Sequence, residues 1–247
     1  MEKLNYIKKL KYFQFLNQNM SQLYNELKKE FQIERMILFS DAVFAIAITL
    51  MALEIKVPVI EHGVTDSELL KALRHLIFKF GGFLISFFII GLYWTVHHRM
   101  FSFVENYNGR VLWLNLFFLL SIILMPFSSA LYSEYSKNIT LVVPYGVYVF
   151  NICLTGYLNY RLWKYIGDPK NKLANHSLTK DQLNLSIKRS LVTPAIFLLS
   201  LIFTFFVYYS LWAAVIARYF PVFIPFVMKS IQKKHDQKNK LSSIAAQ

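Results

Sequence analysis

The sequence predicts an all-α integral membrane protein of six transmembrane helices with both termini in the cytoplasm. Three observations predict it. Of the 247 residues, 55% are hydrophobic, and the mean hydropathy is +0.39. Several apolar runs approach the roughly 20 residues that a helix needs to cross a bilayer. The cations fall between these runs, and 21 of the 27 Lys and Arg collect on one side once the runs alternate across the membrane. A soluble domain with so many long runs would have no interior to hold them.

Residues 1–34 form a cytoplasmic extension. They lack the apolar core of a signal peptide. Tyr6, Ile7, Leu10, Phe13, Leu16, Leu23, Leu27 and Phe31 are spaced as on an amphipathic helix that lies against the membrane or against partner chains. The spanning unit follows over 35–228, and its first span, 36–57, is apolar and uncharged from Ala42 to Leu53. The outer loop 58–75 carries Glu61, His62, Asp66 and Glu68, as a solvated loop or a cation-attracting vestibule would. Spans at 77–97, 111–131 and 141–162 come next, followed by a polar segment, 164–189, with room for a short helix. The last spans, 190–208 and 211–228, are separated only by Tyr209 and Ser210 and so predict a tight hairpin. Pro126, Pro194, Pro221 and Pro225 lie in or at the ends of spans, where a bundle tolerates kinks. A basic cytoplasmic tail fills 229–247.

Orientation follows from the cation count. Seven Lys and Arg lie on 1–35, two on 98–110, seven on 161–189 and five from 229 onward. These segments therefore face the cytoplasm. The same arrangement accounts for the net charge of +13 without nucleic acid as a partner. The single cysteine, Cys153, excludes a disulfide framework or thiolate cluster within one chain. It reads as a small buried apolar side chain.

The first span has two distinct faces. At 100° per residue, Ile46, Thr49, Leu50, Leu53 and Val57 share one stripe, while Ala45, Ala47 and Ala52 lie off it and Asp41 points nearly opposite its centre. Small residues let neighbouring helices approach closely. The aliphatic stripe itself fits lipid contact, core filling or a pore wall, and the pattern alone does not choose among them. A carboxylate at this depth needs a partner, a wet cavity or a role. Trp94, His97 and His98 on the second span and Asn115 on the third fall at a similar depth, so Ser40, Asp41, an imidazole and Asn115 can satisfy one another. Structural pinning, a proton relay and a metal site are the three readings. Consecutive histidines point about 100° apart on a helix, which disfavours a shared metal ion.

The string Arg35-x-x-x-Phe39-Ser40-Asp41, followed by Ala-Val-Phe-Ala-Ile-Ala-Ile-Thr-Leu and ending Leu-Glu-Ile-Lys-Val-Pro58, resembles the first-span signature of the transmembrane protein 175 family. Trp94-x-x-His97-His98-x-x-Phe101, Asn115-Leu116 and Pro126-Phe127 are also similar to family positions. The resemblance implies a potassium channel with one six-span unit per chain, assembled as a homotetramer around a central pore lined by the first helices. It implies that Ile46 forms the narrowest ring, that Thr49 one turn on sets cation preference, and that Leu53, with Leu50 beside it, forms a further aliphatic ring. It also implies that Arg35, Phe39, Ser40 and Asp41 anchor the first helix, with His97 or His98 and Asn115 as partners. The extension of about 30 residues departs from the usual prokaryotic start.

No Thr-Val-Gly-Tyr-Gly loop is present, so a carbonyl cage is not expected. An apolar ring that closes by dewetting, with a modest preference for K⁺ over Na⁺, is. No cofactor, metal or enzymatic activity is expected, K⁺ being only the permeant ion. The expected partners are further copies of the chain and membrane lipid, in the inner (plasma) membrane of a prokaryote. Two rival classes remain: a proton-coupled secondary transporter switching through Asp41, and a membrane enzyme using His97 and His98. The first should show broken helices or inverted repeats, which the sequence does not display.

Overall fold

A computed structural model describes residues 2–59, 65–135, 138, 141–205 and 220–244. It is all-helical apart from one isolated bridge among these residues. In chain order the helices are α1 (Glu2–Leu53), α2 (Asp66–Phe101), α3 (Gly109–Glu134), α4 (Val143–Ile166), α5 (Lys180–Phe205) and α6 (Ile224–Ile244). Short 3₁₀ turns occupy Pro169–Asn171 and Phe220–Phe223. Helices over 14–53, 79–101, 109–134 and 180–204 are long and apolar enough to cross a membrane. The expected hairpin at Tyr209 and Ser210, and the first half of the expected last span, lie outside the described residues.

α1 is a single helix of 52 residues. The first Pro in the chain is Pro58 and the first Gly is Gly63, so nothing in 1–57 breaks a helix. The boundary expected near residue 34 therefore falls inside a continuous rod. α2 also starts earlier than its apolar run. Thr65 accepts from the Glu68 amide while the Glu68 carboxylate accepts from the Thr65 amide, a capping box that begins the helix within the expected outer loop.

α3 is central. It packs against α1, α2 and α4; α4 in turn packs on α5, and α5 on α6. A Cβ built on Gly156 would sit 2.0 Å from Cγ of Pro194, so α4 and α5 meet too closely for any side chain there. Ser86 on α2 lies 2.7 Å from both Ser129 of α3 and Tyr148 of α4, joining three helices by hydroxyl contacts. Lys79 of α2 pairs with Glu134, the last residue of α3, at 2.6 Å. On the other side, the loop after α2 is joined to the segment after α4: Glu105 N donates to Leu173 O at 2.9 Å, and Asn175 N donates to Phe103 O at 2.8 Å. The expected cytoplasmic loops thus hold each other.

Candidate functional site

The buried stripe of α1 consists of Ile33, Met36, Ser40, Phe44, Ala47 and Met51, spaced at steps of three or four. It faces α2 and α3. The opposite half of the same helix carries Leu38, Phe39, Ile46, Thr49, Leu50 and Leu53, all exposed in the single subunit. Ile46 is 57% exposed and Leu53 73%, values at home on a face that nothing in its own subunit covers. The column of aliphatics therefore does not fill this subunit's core. That reading, open from sequence, is closed by the burial of the other face.

Thr49 sits within this column, and its hydroxyl is already engaged. Its Oγ1 lies 3.0 Å from both Ala45 O and Ile46 O, so the hydroxyl proton is directed back to the helix carbonyls. The oxygen lone pairs remain available to the outside. A hydroxyl held this way presents an acceptor, which suits a cation and not an anion.

Behind the column lies a hydrogen-bonded chain with a definite direction. His97 Nε2 and Asn115 Oδ1 are 2.8 Å apart, Asn115 Nδ2 donates to Ser40 Oγ at 2.9 Å, and Ser40 donates to Met36 O at 2.8 Å. Because the Asn115 carbonyl can only accept, His97 carries its proton on Nε2. All three side chains are almost fully buried. The His97 ring lies parallel to Phe118 at 5.6 Å and near Phe101 at 4.4 Å, with Phe44 at 5.6 Å. One polar chain inside an aromatic box thus joins α1, α2 and α3.

Asp41 belongs to a second, separate contact. Its Oδ1 accepts from Trp94 Nε1 at 2.9 Å. The expectation that a histidine and Asn115 partner Asp41 is corrected: Asn115 goes to Ser40 and His97, and the indole takes the carboxylate. His98 is exposed and lies against Trp94, ring centroids 5.8 Å apart. The 100° step between consecutive helical residues sends His97 inward and His98 outward. Arg35 is exposed, with its guanidinium 5.9 Å from the centre of the Phe31 ring. Phe39, next to Ser40, points away from the network and is exposed. The two histidines therefore do not face one cavity. Among the described residues no three His, Cys, Asp or Glu side chains gather as metal ligands would.

One feature escaped sequence reading. Asn151, Thr155, Asn159 and Trp163 recur at every fourth position of α4, all buried. Asn151 Nδ2 donates to Ser128 Oγ at 3.2 Å, and Thr155 donates to Asn151 O at 2.9 Å. Their i, i+4 spacing was the available signal, hidden among the flanking Tyr and Leu residues.

The chain is similar to several known proteins. Residues 35–126 match the family described as "Endosomal/lysosomal potassium channel TMEM175". The chain is 31% identical over 191 residues to a protein of Chamaesiphon minutus named as a potassium channel, covering 77% of this chain and 91% of that one. It is 32% identical over 149 residues to a protein of a Chryseobacterium species also named as a potassium channel, covering 60% of this chain and 74% of that one. The crystal structure of a lysosomal potassium-selective channel TMEM175 homolog from Chamaesiphon minutus superimposes with a TM-score of 0.60 at 30% identity, over 78% of this chain and 98% of that one.

Proposed function

The chain belongs to the TMEM175 family, and from that premise we propose that it is a potassium channel of a prokaryotic inner membrane, assembled as a homotetramer. Each subunit contributes six spans, both termini are cytoplasmic, and the exposed column of α1 lines a pore on the four-fold axis. The observation that carries this reading is the division of α1 into a buried, pinned face and a bare aliphatic face holding Ile46, Thr49, Leu50 and Leu53.

The mechanism follows from the chemistry of that face. Four Ile46 side chains around an axis make a greasy constriction that closes by dewetting. A permeating ion sheds part of its hydration there, and K⁺, the more weakly hydrated ion, gives it up more readily than Na⁺. Four Thr49 oxygens, their protons tied to the helix backbone, replace some of the lost water. Leu53, with Leu50 beside it, forms a second apolar ring one turn further on. Selectivity for K⁺ over Na⁺ is real but modest, because no ladder of carbonyls substitutes for a full hydration shell.

Ser40 and Asp41 position α1 for this task. Ser40 acts through Asn115 and His97, and Asp41 through Trp94. The transporter and enzyme readings rely on groups already committed elsewhere: the carboxylate to an indole, and one imidazole to an amide. The experiment is flux from purified protein in liposomes. A channel passes K⁺ down its own gradient with no counter-ion and gives a bi-ionic reversal potential that favours K⁺; strict dependence of K⁺ movement on a proton gradient would establish the transporter instead.

A further inference from the structure

The outward face of α4 ends in two cations that no acid among the described residues pairs with. Val143, Phe150, Tyr157 and Lys164 follow one another at steps of seven, flanked by Tyr160 and Arg161. At 100° per residue all six lie within about 100° of arc. None of them is buried, whereas Asn151, Thr155, Asn159 and Trp163 on the opposite half are. α4 packs on α3 and α5, and α3 stands between it and α1, so this stripe lies away from the Ile46 column.

The stripe changes character along its length. Its first half is bare and apolar, with Val143 74% and Phe150 68% exposed. Its last two turns form a compact cluster of two tyrosines and two cations. Arg161 Nη1 donates to the Tyr157 hydroxyl at 2.6 Å, and its guanidinium lies 5.6 Å from the centre of that ring. Lys164 Nζ lies 5.8 Å from the centre of the Tyr160 ring, and the two tyrosine rings are 6.5 Å apart. α4 contains no Asp or Glu, and neither cation forms an ion pair with a described residue. The next acid in the chain, Asp168, accepts from the Lys170 amide.

Tyrosines and long cationic side chains at the end of a span sit at headgroup level, apolar body inward and polar tip in water. Phe150 stands about 10 Å along the helix from Tyr157, within the roughly 15 Å of hydrocarbon of one leaflet. Acyl chains and a headgroup phosphate thus match the two halves of the stripe in both chemistry and length. We propose that Tyr157, Tyr160, Arg161 and Lys164 hold the headgroup of an anionic phospholipid of the inner leaflet, with its chains laid along Phe150. The Tyr157 hydroxyl fixes one side of the Arg161 fork and leaves the rest for phosphate oxygens. A zwitterionic headgroup adds an amine that both cations repel, so the site selects by net charge. The inference rests on the reading of α4 as a span whose C-terminal end is cytoplasmic.

The test is native mass spectrometry of the full-length protein in non-ionic detergent, titrated with phosphatidylglycerol or phosphatidylcholine. The wild type should bind the first about tenfold more tightly than the second. Arg161→Gln with Lys164→Gln should abolish that preference, while Lys170→Gln with Lys180→Gln, an equal loss of charge outside α4, should keep it. Equal binding of the two lipids by the wild type, or equal loss in both double variants, overturns the site. A smaller oligomer for Arg161→Gln with Lys164→Gln, with the lipid preference intact, makes this face a subunit contact and overturns it too. Lys164→Cys on a Cys153→Ser background, treated with a membrane-impermeant maleimide in vesicles of known sidedness, checks the orientation separately. Labelling from the cytoplasmic side is expected; labelling from the outer side overturns the orientation, and with it the leaflet, whatever the detergent result.

Discussion

Asn115 donates to the Ser40 hydroxyl at 2.9 Å across 75 positions of sequence, and this contact ties α1 to α3 just behind the exposed column. Its other amide atom takes the His97 proton, so one side chain orients two helices relative to a third. Replacing Asn115 by Leu keeps the volume roughly constant but leaves the His97 N–H buried without an acceptor. The expected cost is about 3 kcal/mol, one orphaned buried donor plus two lost bonds. Thermal unfolding in detergent should show a clear fall for Asn115→Leu and also for Ser40→Ala, which leaves the buried Asn115 Nδ2 donor without its acceptor.

The Asp41–Trp94 contact is a charge-assisted bond between α1 and α2. A double-mutant cycle of Asp41→Ala with Trp94→Phe should give a coupling energy of about 1–2 kcal/mol, since each single change removes the same bond. Both variants should lower the tetramer yield or open probability with little change in ion preference, because neither group lies on the exposed column. Strict additivity of the two changes would remove this contact from the account.

Ile46 is assigned to the narrowest ring. Ile46→Ala and Ile46→Asn both widen it, and the second also wets it. Single-channel current and Na⁺ leak should rise in both, more in the second. Unchanged unitary current in both variants would place the constriction elsewhere.

Thr49 contributes an oxygen rather than bulk. Thr49→Val keeps the shape and loses the acceptor; Thr49→Ser keeps the acceptor and loses a methyl group. The K⁺/Na⁺ reversal potential should move toward zero in the first and stay near the wild type in the second. A larger shift for Ser than for Val would show that packing, and not the hydroxyl oxygen, sets the preference.

How much of this was legible in the sequence varies with the kind of interaction involved. The two faces of α1 follow from helical period alone, because Ile46, Thr49, Leu50 and Leu53 stand apart from Ser40, Phe44 and Ala47 at 100° per residue. The depth match of Ser40, His97 and Asn115 was legible for the same reason: length converts directly into height in a bilayer. The pairing within that layer was not. His97 and His98 are equivalent in a one-dimensional reading, and only the packing of α2 on α3 turns His97 toward Asn115 and leaves Trp94 to Asp41. The amphipathic helix expected over 1–34 and the first span are one helix, Glu2–Leu53, and that continuity was not legible, because hydropathy falls at residue 34 while the helix does not. Helix formation there depends on the absence of Gly and Pro, a signal independent of apolarity. The polar file on α4 was hidden because buried amides inside a span look like interruptions of hydrophobicity.

The central claim is that four copies of the exposed column meet around a permeation axis. Block of K⁺ current by Cd²⁺ in Thr49→Cys channels, on a Cys153→Ser background, tests it most directly, since four thiolates around an axis form a soft site for that ion. The account predicts block at micromolar Cd²⁺, reversed by a chelator, and none in Ala47→Cys channels, whose substituted residue faces its own subunit's core. Conducting Thr49→Cys channels that ignore Cd²⁺, or equal block at both positions, would contradict it.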